Sequence, residues 1–269
     1  MQEPFINQDG FHLQIEKWQQ IHPGLRAGIS TRLHGSSKPP FHSLNMGLHV
    51  NDDVNDVITN RRQLAEHLKI PLEHWVVGEQ VHQTKVKSVT AEDKGRGALS
   101  QQMAVPGTDG LITSEEGLLC AAVFADCVPL FFFDPTTGFV GVAHAGWKGT
   151  VQRIAEKMVE AFQKLGSDPS NLLAVIGPCI SQENYEVDEH VVRYLTSDEK
   201  ETAVYEKGIN QYFLDLKQLN AEILLQAGLV RNNIDITKYC TYEHKELFFS
   251  HRRDQGRTGR MLGYIGYQP

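Results

Sequence analysis

Cys127, His144 and His82 are the side chains of this sequence best suited to bind a metal ion or to activate a nucleophile. His144 closes the apolar run Phe139–His144 just before a glycine turn, where side chains commonly face a site. Cys127 follows Asp126 at the corner between two apolar runs, an unusual place for a merely buried thiol. His82, within Gln80-Val81-His82-Gln83-Thr84, precedes a strand expected around Val86. Two imidazoles and a thiolate suit a zinc ion with an open fourth position. The same thiol beside an imidazole could act as a nucleophile, its pKa lowered by an imidazolium or a metal. The three residues are far apart in sequence, so spacing leaves ligand and nucleophile both open.

Anion binding is the second chemistry. The loop Gly146-Trp147-Lys148-Gly149-Thr150 leads into a helix, offering free N–H groups, the positive end of a dipole and the Lys148 ammonium. Residues 141–148 approach a Walker A loop and fail it, because Trp147 stands where lysine is required and Gly149 precedes the threonine. A nucleotide triphosphatase is not expected. The one dense positive cluster runs from His251 through Arg252, Arg253 and Arg257 to Arg260. Alone such a run is a solvated turn, but its position after the apolar Leu247-Phe248-Phe249 makes it a candidate for anion recognition.

The elements that must position these groups alternate in type. After Asn51-Asp52-Asp53, the spacing of Val54, Val57, Ile58, Leu64, Ala65 and Leu68 predicts a helix with an aspartate cap. Arg61 falls in its apolar stripe, either lying along the core edge with its head in water or pointing into a site. Residues 118–133 are too long for one strand, and Pro129 does not belong in a central one. Two strands are expected, 118–125 and 130–133, with a corner at 126–129, and Phe139–His144 returns after turn residues 134–138. A single helix from Thr150 to Leu165 would carry Val151, Ile154, Ala155, Met158 and Phe162 on one side and stop at Gly166. Leu172–Ile176 reads as a strand, Asp215 with Gln218 as a capping box opening another helix, and 247–250 as a last short strand. Interspersed strands and helices with many hairpin turns predict one α+β domain over residues 1–269, a mixed sandwich rather than a doubly wound sheet.

Composition bounds the partners. With 41% hydrophobic and 22% charged residues, the chain is an ordinary globular one. A net charge of −7 argues against a broad surface for nucleic acid and leaves room for a local basic pocket. Met1-Gln2-Glu3-Pro4-Phe5 lacks the pattern of a secretion signal, and the apolar run 118–133 is interrupted by Asp126 and Pro129. Four cysteines without a CxxC pair do not form a disulfide framework. The expectation is a cytoplasmic protein, monomer or homodimer, with neither membrane nor nucleic acid as partner.

A series of ordered motifs then becomes recognisable. They are Ser43-Leu44-Asn45-Met46-Gly47-Leu48-His49-Val50, Asn60-Arg61, Gln80-Val81-His82, Thr108-Asp109-Gly110-Leu111-Ile112-Thr113, and Ala125-Asp126-Cys127-Val128-Pro129. They continue through His144-Ala145-Gly146-Trp147, Ile176-Gly177-Pro178-Cys179-Ile180, Tyr185-Glu186-Val187, Phe249-Ser250-His251-Arg252-Arg253-Asp254 and Thr258-Gly259-Arg260. Over nearly its whole length the chain resembles the laccase-domain family, also called the polyphenol oxidase or YfiH/LACC1-like family and viewed as purine nucleoside phosphorylases.

The resemblance implies a four-layer α/β/β/α sandwich with mixed sheets and a metal held by His82, Cys127 and His144, zinc with copper as the alternative. It implies phosphorolysis of adenosine, inosine, guanosine and S-methyl-5′-thioadenosine, with inorganic phosphate as co-substrate and some adenosine deamination. Asn45, Arg61, Lys148, Arg252, Arg253 and Arg260 are the expected nucleoside and phosphate contacts, and Cys127, Asp126 and Glu79 the catalytic candidates. Two positions depart from the pattern. Gln83 replaces a glycine, and Lys148 replaces an arginine, turning a bidentate fork into a point charge.

The name laccase is testable on these residues. None of the twelve histidines forms the His-x-His pair of a multicopper site, and Val128-Pro129 offers no histidine or methionine for a blue-copper site. One mononuclear site remains, which leaves room only for weak copper-dependent phenol oxidation. The zinc-deaminase signature is absent, since Ala145-Gly146 follows His144. The same residues are also compatible with a cysteine hydrolase acting on cell-wall precursors and with a non-catalytic metal-dependent binding module.

Overall fold

Strands too continuous in apolar residues to face water on either side force this chain into stacked layers. The structure, a computed structural model, describes residues 2–7, 9–208 and 210–269. In chain order, the first half holds β1 (Ile6–Asn7), β2 (His12–Gln14), α1 (Glu16–Ile21), β3 (Leu25–Ser30), α2 (Val54–Leu68), β4 (Trp75–Val77), β5 (Val86–Ser88), β6 (Gly110–Thr113), β7 (Leu119–Phe124) and β8 (Val128–Phe133). The second half holds β9 (Val140–Ala145), α3 (Trp147–Val151), α4 (Ile154–Lys164), β10 (Leu173–Ile176), β11 (Glu186–Val187), α5 (Glu189–Val192), α6 (Ser197–Ala203), β12 (Val204–Gly208), β13 (Gln211–Leu214), α7 (Leu216–Gln226), β14 (Ile234–Ile236) and β15 (Met261–Tyr267).

Two six-stranded mixed sheets stack face to face. The first runs β1-β2-β3-β15-β7-β4 and the second β14-β10-β8-β9-β6-β5, while β11-β13-β12 forms a small third sheet. Between the large sheets lies one core, with Ile29, Ala122, Phe124 and Ile265 from the first against Phe131, Phe133, Val140 and Val142 from the second. The outer face of the first sheet packs Leu119, Ala121, Leu262 and Tyr264 on Leu64, Ala65 and Leu68 of α2. The outer face of the second packs Leu130, Phe132 and Ala143 on Ile154, Met158 and Phe162 of α4 and on Leu219 and Ile223 of α7. The order of layers is therefore α2, sheet, sheet, then α4 with α7, the α+β sandwich expected.

Local signals account for much of this. Asp53 caps α2 by accepting from Asn55 N, and Lys69 closes it in the left-handed region. Asp215 caps α7 by accepting from Gln218 N, but the Gln218 side chain turns to Glu222, so the reciprocal half of a capping box is missing.

Four expectations are corrected. The helix expected as one unit is two, α3 starting already at Trp147 and α4 at Ile154, because Arg153 adopts φ +67° between them. Pro129 does sit in a central strand, as the second residue of β8. There its carbonyl accepts from Gly177 N, and the β8–β10 ladder begins only at Leu130. Residues 247–250 are not a strand, and the final strand is instead β15, which fills the gap between β3 and β7. The Arg61 head is not in water, since the residue is 1% exposed.

Arg61 is a buried clamp. Its guanidinium donates through Nε and one terminal nitrogen to Met46 O, and through the other to Gly97 O and Ala98 O, all at 2.7–2.9 Å. Burial lowers its pKa to about 10, so it stays charged at neutral pH. One helical side chain thereby fastens two loops, around residues 46 and 97, at the edge of the site.

Candidate metal centre and its cavity

The corner between β7 and β8 presents Cys127. Asp126 takes φ +83°, which turns the chain sharply. Its carboxylate holds the corner by accepting from Thr241 Oγ1 (2.6 Å), Ser250 Oγ (3.0 Å) and Arg252 N (2.7 Å). The segment 241–252 is thereby tied to Cys127, although some 115 residues separate Asp126 from Thr241.

A second carboxylate positions both histidines. Asp109, just before β6, accepts from His144 Nδ1 at 2.9 Å and from the backbone N–H groups of Val81, His82 and Gln83 at 3.0–3.2 Å. Burial works against its charge, but these donors, His144 first, hold its pKa below the usual carboxylate value. His144 is thus fixed with Nε2 free to point at the thiol. The loop carrying His82, itself at φ +59°, is drawn to the same place. Gln80 pins the loop further by exchanging two hydrogen bonds with the Val123 backbone, at 2.7 and 2.8 Å.

The result is convergence. His82 and His144 rings meet edge to face at 4.7 Å, and one donor atom each of His82, Cys127 and His144 lies within 4.8 Å of the others. Burial raises the Cys127 pKa, but the charge and hydrogen bonds of His144 and then of His82 outweigh it and bring the thiol below its ordinary value. His144 moves the other way. Burial disfavours its charge, yet the Cys127 thiolate and Asp109 raise it above the usual imidazole range.

A thiolate, two imidazoles and a carboxylate behind one of them fit a borderline-soft cation. The backbone is shaped around the same spot. A Cβ at Gly146 would lie 2.9 Å from His82 Cδ2 and 3.1 Å from Cys127 Sγ, so only glycine fits there without displacing a ligand.

Asp109→Asn should weaken metal binding by about 10–100-fold. The amide would aim N–H at the N–H groups of Val81 and Gln83 and loosen the His82 loop. Competition against a chelator measures it, and an unchanged affinity would contradict this role.

The donors open into a cavity of about 740 Å³. Lys148, Arg252, Arg260, Glu79, Trp147, Tyr185 and His49 line it. The Arg252 guanidinium lies 5.1 Å over the Tyr185 ring and donates to Glu186 O. Arg260 donates to Thr258 O and Gly259 O. Glu79 accepts from Gly107 N at 2.9 Å. Arg61 reaches the cavity wall but spends four donors on backbone carbonyls.

Two expected contacts are directed elsewhere. Asn45 is fully buried, bonded to Gly47, Asp52 and Arg260 N, and is not part of the cavity lining. Arg253 is spent on Asp254 and on the carbonyls of Thr241, Tyr242 and Phe248.

Sequence reasoning assigned no role to Asp109, His49 or Tyr185. Asp109 alone carried a readable signal, an acid opening an apolar strand directly after a threonine. Burial, followed by the charges of Arg260 and Arg61, lowers His49 to about 4, so it faces the cavity neutral at pH 7.

The family described as multi-copper polyphenol oxidoreductase laccase matches residues 26–268. Purine nucleoside phosphorylase YlmD of Bacillus subtilis is 46% identical over 261 residues, 94% of this chain and 94% of its own length. Its namesake of Geobacillus stearothermophilus is 49% identical over 247 residues, 90% of each. The crystal structure of that YlmD superposes with a TM-score of 0.95 at 45% identity, covering 100% of both chains. The Bacillus licheniformis hypothetical protein YfiH gives 0.94 at 42%, covering 98% of this chain and 99% of the other.

Proposed function

From a chain that belongs to the family described as multi-copper polyphenol oxidoreductase laccase, we propose a zinc-dependent purine nucleoside phosphorylase that also deaminates adenosine. The observation that carries the reading is one cavity holding His82, Cys127 and His144 beside Lys148, Arg252, Arg260 and the Tyr185 ring. The names of its relatives, purine nucleoside phosphorylase, support the phosphorolysis in this reading.

Phosphorolysis breaks C1′–N9 as the ribose gains positive charge and the purine leaves with the bonding electrons. Phosphate oxygen forms the new bond to C1′. Adenosine, inosine, guanosine and S-methyl-5′-thioadenosine share this reacting centre. Lys148, Arg252 and Arg260 supply cationic donors for phosphate, and the Tyr185 face offers the base an apolar surface. Glu79 is the proton carrier at the cavity wall, whereas Asp126, with both oxygens taken by three donors, positions Cys127. Asn45, Arg61 and Arg253 act through the walls they brace. His82, Cys127 and His144 would hold the zinc, which when bound would supply a positive charge to polarise a substrate oxygen or base nitrogen.

Adenosine should release adenine and ribose 1-phosphate only when phosphate is present. Adenine release at an equal rate in phosphate-free buffer would overturn phosphorolysis in favour of hydrolysis. In the same assay Lys148→Ala should raise the phosphate KM about tenfold with metal content unchanged, because a charge-assisted contact is lost at a non-ligand.

A second reading has a specific basis. Cys127, His144 and Asp109 also form a thiol–imidazole–carboxylate series, the arrangement of a cysteine hydrolase. A second imidazole, His82, with a ligand atom within 4.8 Å of the same thiol favours the ion, since a nucleophile needs only one imidazole. Iodoacetamide inactivation of metal-free protein together with a trapped acyl intermediate would favour the hydrolase.

A further inference from the structure

A separate cluster of ligating side chains has no part in the cavity described above. Asp9 sits in the turn between β1 and β2, His12 opens β2 and His67 lies in the last turn of α2. None of the three lines the 740 Å³ cavity. One donor atom from each lies within 4.8 Å of the others. Asp9 Oδ2 is 3.3 Å from His67 Nδ1 and 3.7 Å from His12 Nε2. Donors bound at 2.0–2.1 Å to a tetrahedral zinc stand about 3.3–3.4 Å apart, close to both separations measured from Asp9 Oδ2.

Each donor is also aimed. His12 is buried, and its Nδ1 bonds the Tyr264 hydroxyl at 2.7 Å, which turns Nε2 toward Asp9. An outer-shell partner on the second ring nitrogen is the usual support of a metal-binding histidine. The Gln14 amide donates to that Nε2 at 2.8 Å and would have to swing aside for an ion. Asp9 divides its oxygens, Oδ1 accepting from the Phe11 and His12 N–H groups and Oδ2 facing the imidazoles. The His67 ring is stacked on Phe11 at 4.4 Å and 6°, which fixes its direction although it is partly exposed. A hollow of about 400 Å³ reaches the cluster, with Glu66 and His34 on its wall.

We propose that Asp9, His12 and His67 bind a second divalent metal ion, zinc or a similar borderline cation, which clasps the β1–β2 turn onto the end of α2. Two imidazoles and one carboxylate suit such an ion and leave a position for water. The site is independent of the nucleoside reaction, so its test does not rely on turnover.

Wild-type protein, His67→Ala and Asp9→Asn would each be saturated with zinc, desalted, and counted for metal per chain. The expected result is two equivalents in wild type and one in each variant. Loading with cobalt separates the sites, because a thiolate-to-cobalt absorption belongs to Cys127 alone and should persist in both variants. Zinc should raise the melting temperature of wild type by about 5 °C more than that of His67→Ala, through binding to the folded state only. Equal metal content in all three proteins would overturn the proposal, as would loss of the thiolate band in step with the second equivalent.

Discussion

Replacing Cys127 with alanine should remove the ion held with His82 and His144, leaving any ion at Asp9, His12 and His67 in place, and should abolish nucleoside phosphorolysis with it. The substitution deletes the only thiolate of the centre and leaves two imidazoles, one of them already hydrogen-bonded to Asp109. The affinity loss should exceed the roughly 10–100-fold that substitution of an outer-shell partner typically costs. Folding should survive, since Cys127 is partly exposed and removing one sulfur at the wall of a cavity of about 740 Å³ creates no new sealed void. Metal analysis and the phosphate-dependent product assay, run on one preparation, decide the matter. Full metal occupancy with activity gone would instead identify Cys127 as a nucleophile.

Arg61→Leu should destabilise the fold by about 3–5 kcal/mol, lowering the melting temperature by roughly 10 °C. The new side chain fills a similar volume but leaves the carbonyls of Met46, Gly97 and Ala98 buried without their donors. The hydrogen-bond partners of this guanidinium are carbonyl dipoles rather than a carboxylate, so its charge is held without an ion pair. Lysine would restore charge without the fork that reaches both loops, and Arg61→Lys should recover only part of the loss. A melting temperature within about 2 °C of wild type would rule out the clamp.

What the sequence revealed depended on how local each signal was. Asp53 before α2, Asp215 before α7 and Gly166 after α4 act within one turn of chain, and their positions were readable. Cys127 and His144 were recognisable as candidates because each ends an apolar run at a turn. Their meeting with His82 was legible only through the family resemblance and not from spacing, because it depends on Asp109 drawing three backbone N–H groups to itself across 26–28 residues.

The misreadings share a cause. Arg153 carries no glycine to announce a left-handed break, yet its strain is offset by bonds to Glu156, Glu199 and Gln226. Strand β15 alternates poorly because Gly263 and Gly266 interrupt it. A Cβ at Gly266 would fall 2.1 Å from Leu118 O, so close packing between strands dictated the residue that hid the strand. Arg253 and Asn45 look like ligand contacts in a basic or polar motif, and tertiary carbonyls and N–H groups use them instead.

The place of β15 has a consequence for how the protein comes into being. Its residues 261–267 bridge β3 and β7, which pair with it on opposite sides. During translation β7 leaves the ribosome long before that bridge is made. At about 5–20 residues per second, the interval from residue 124 to residue 261 lasts roughly 7–30 s. Throughout it the two strands present unsatisfied edges, the kind of surface that recruits other chains. Nascent copies on one message are therefore most exposed to each other in that window, and slow codons downstream of residue 124 would lengthen it.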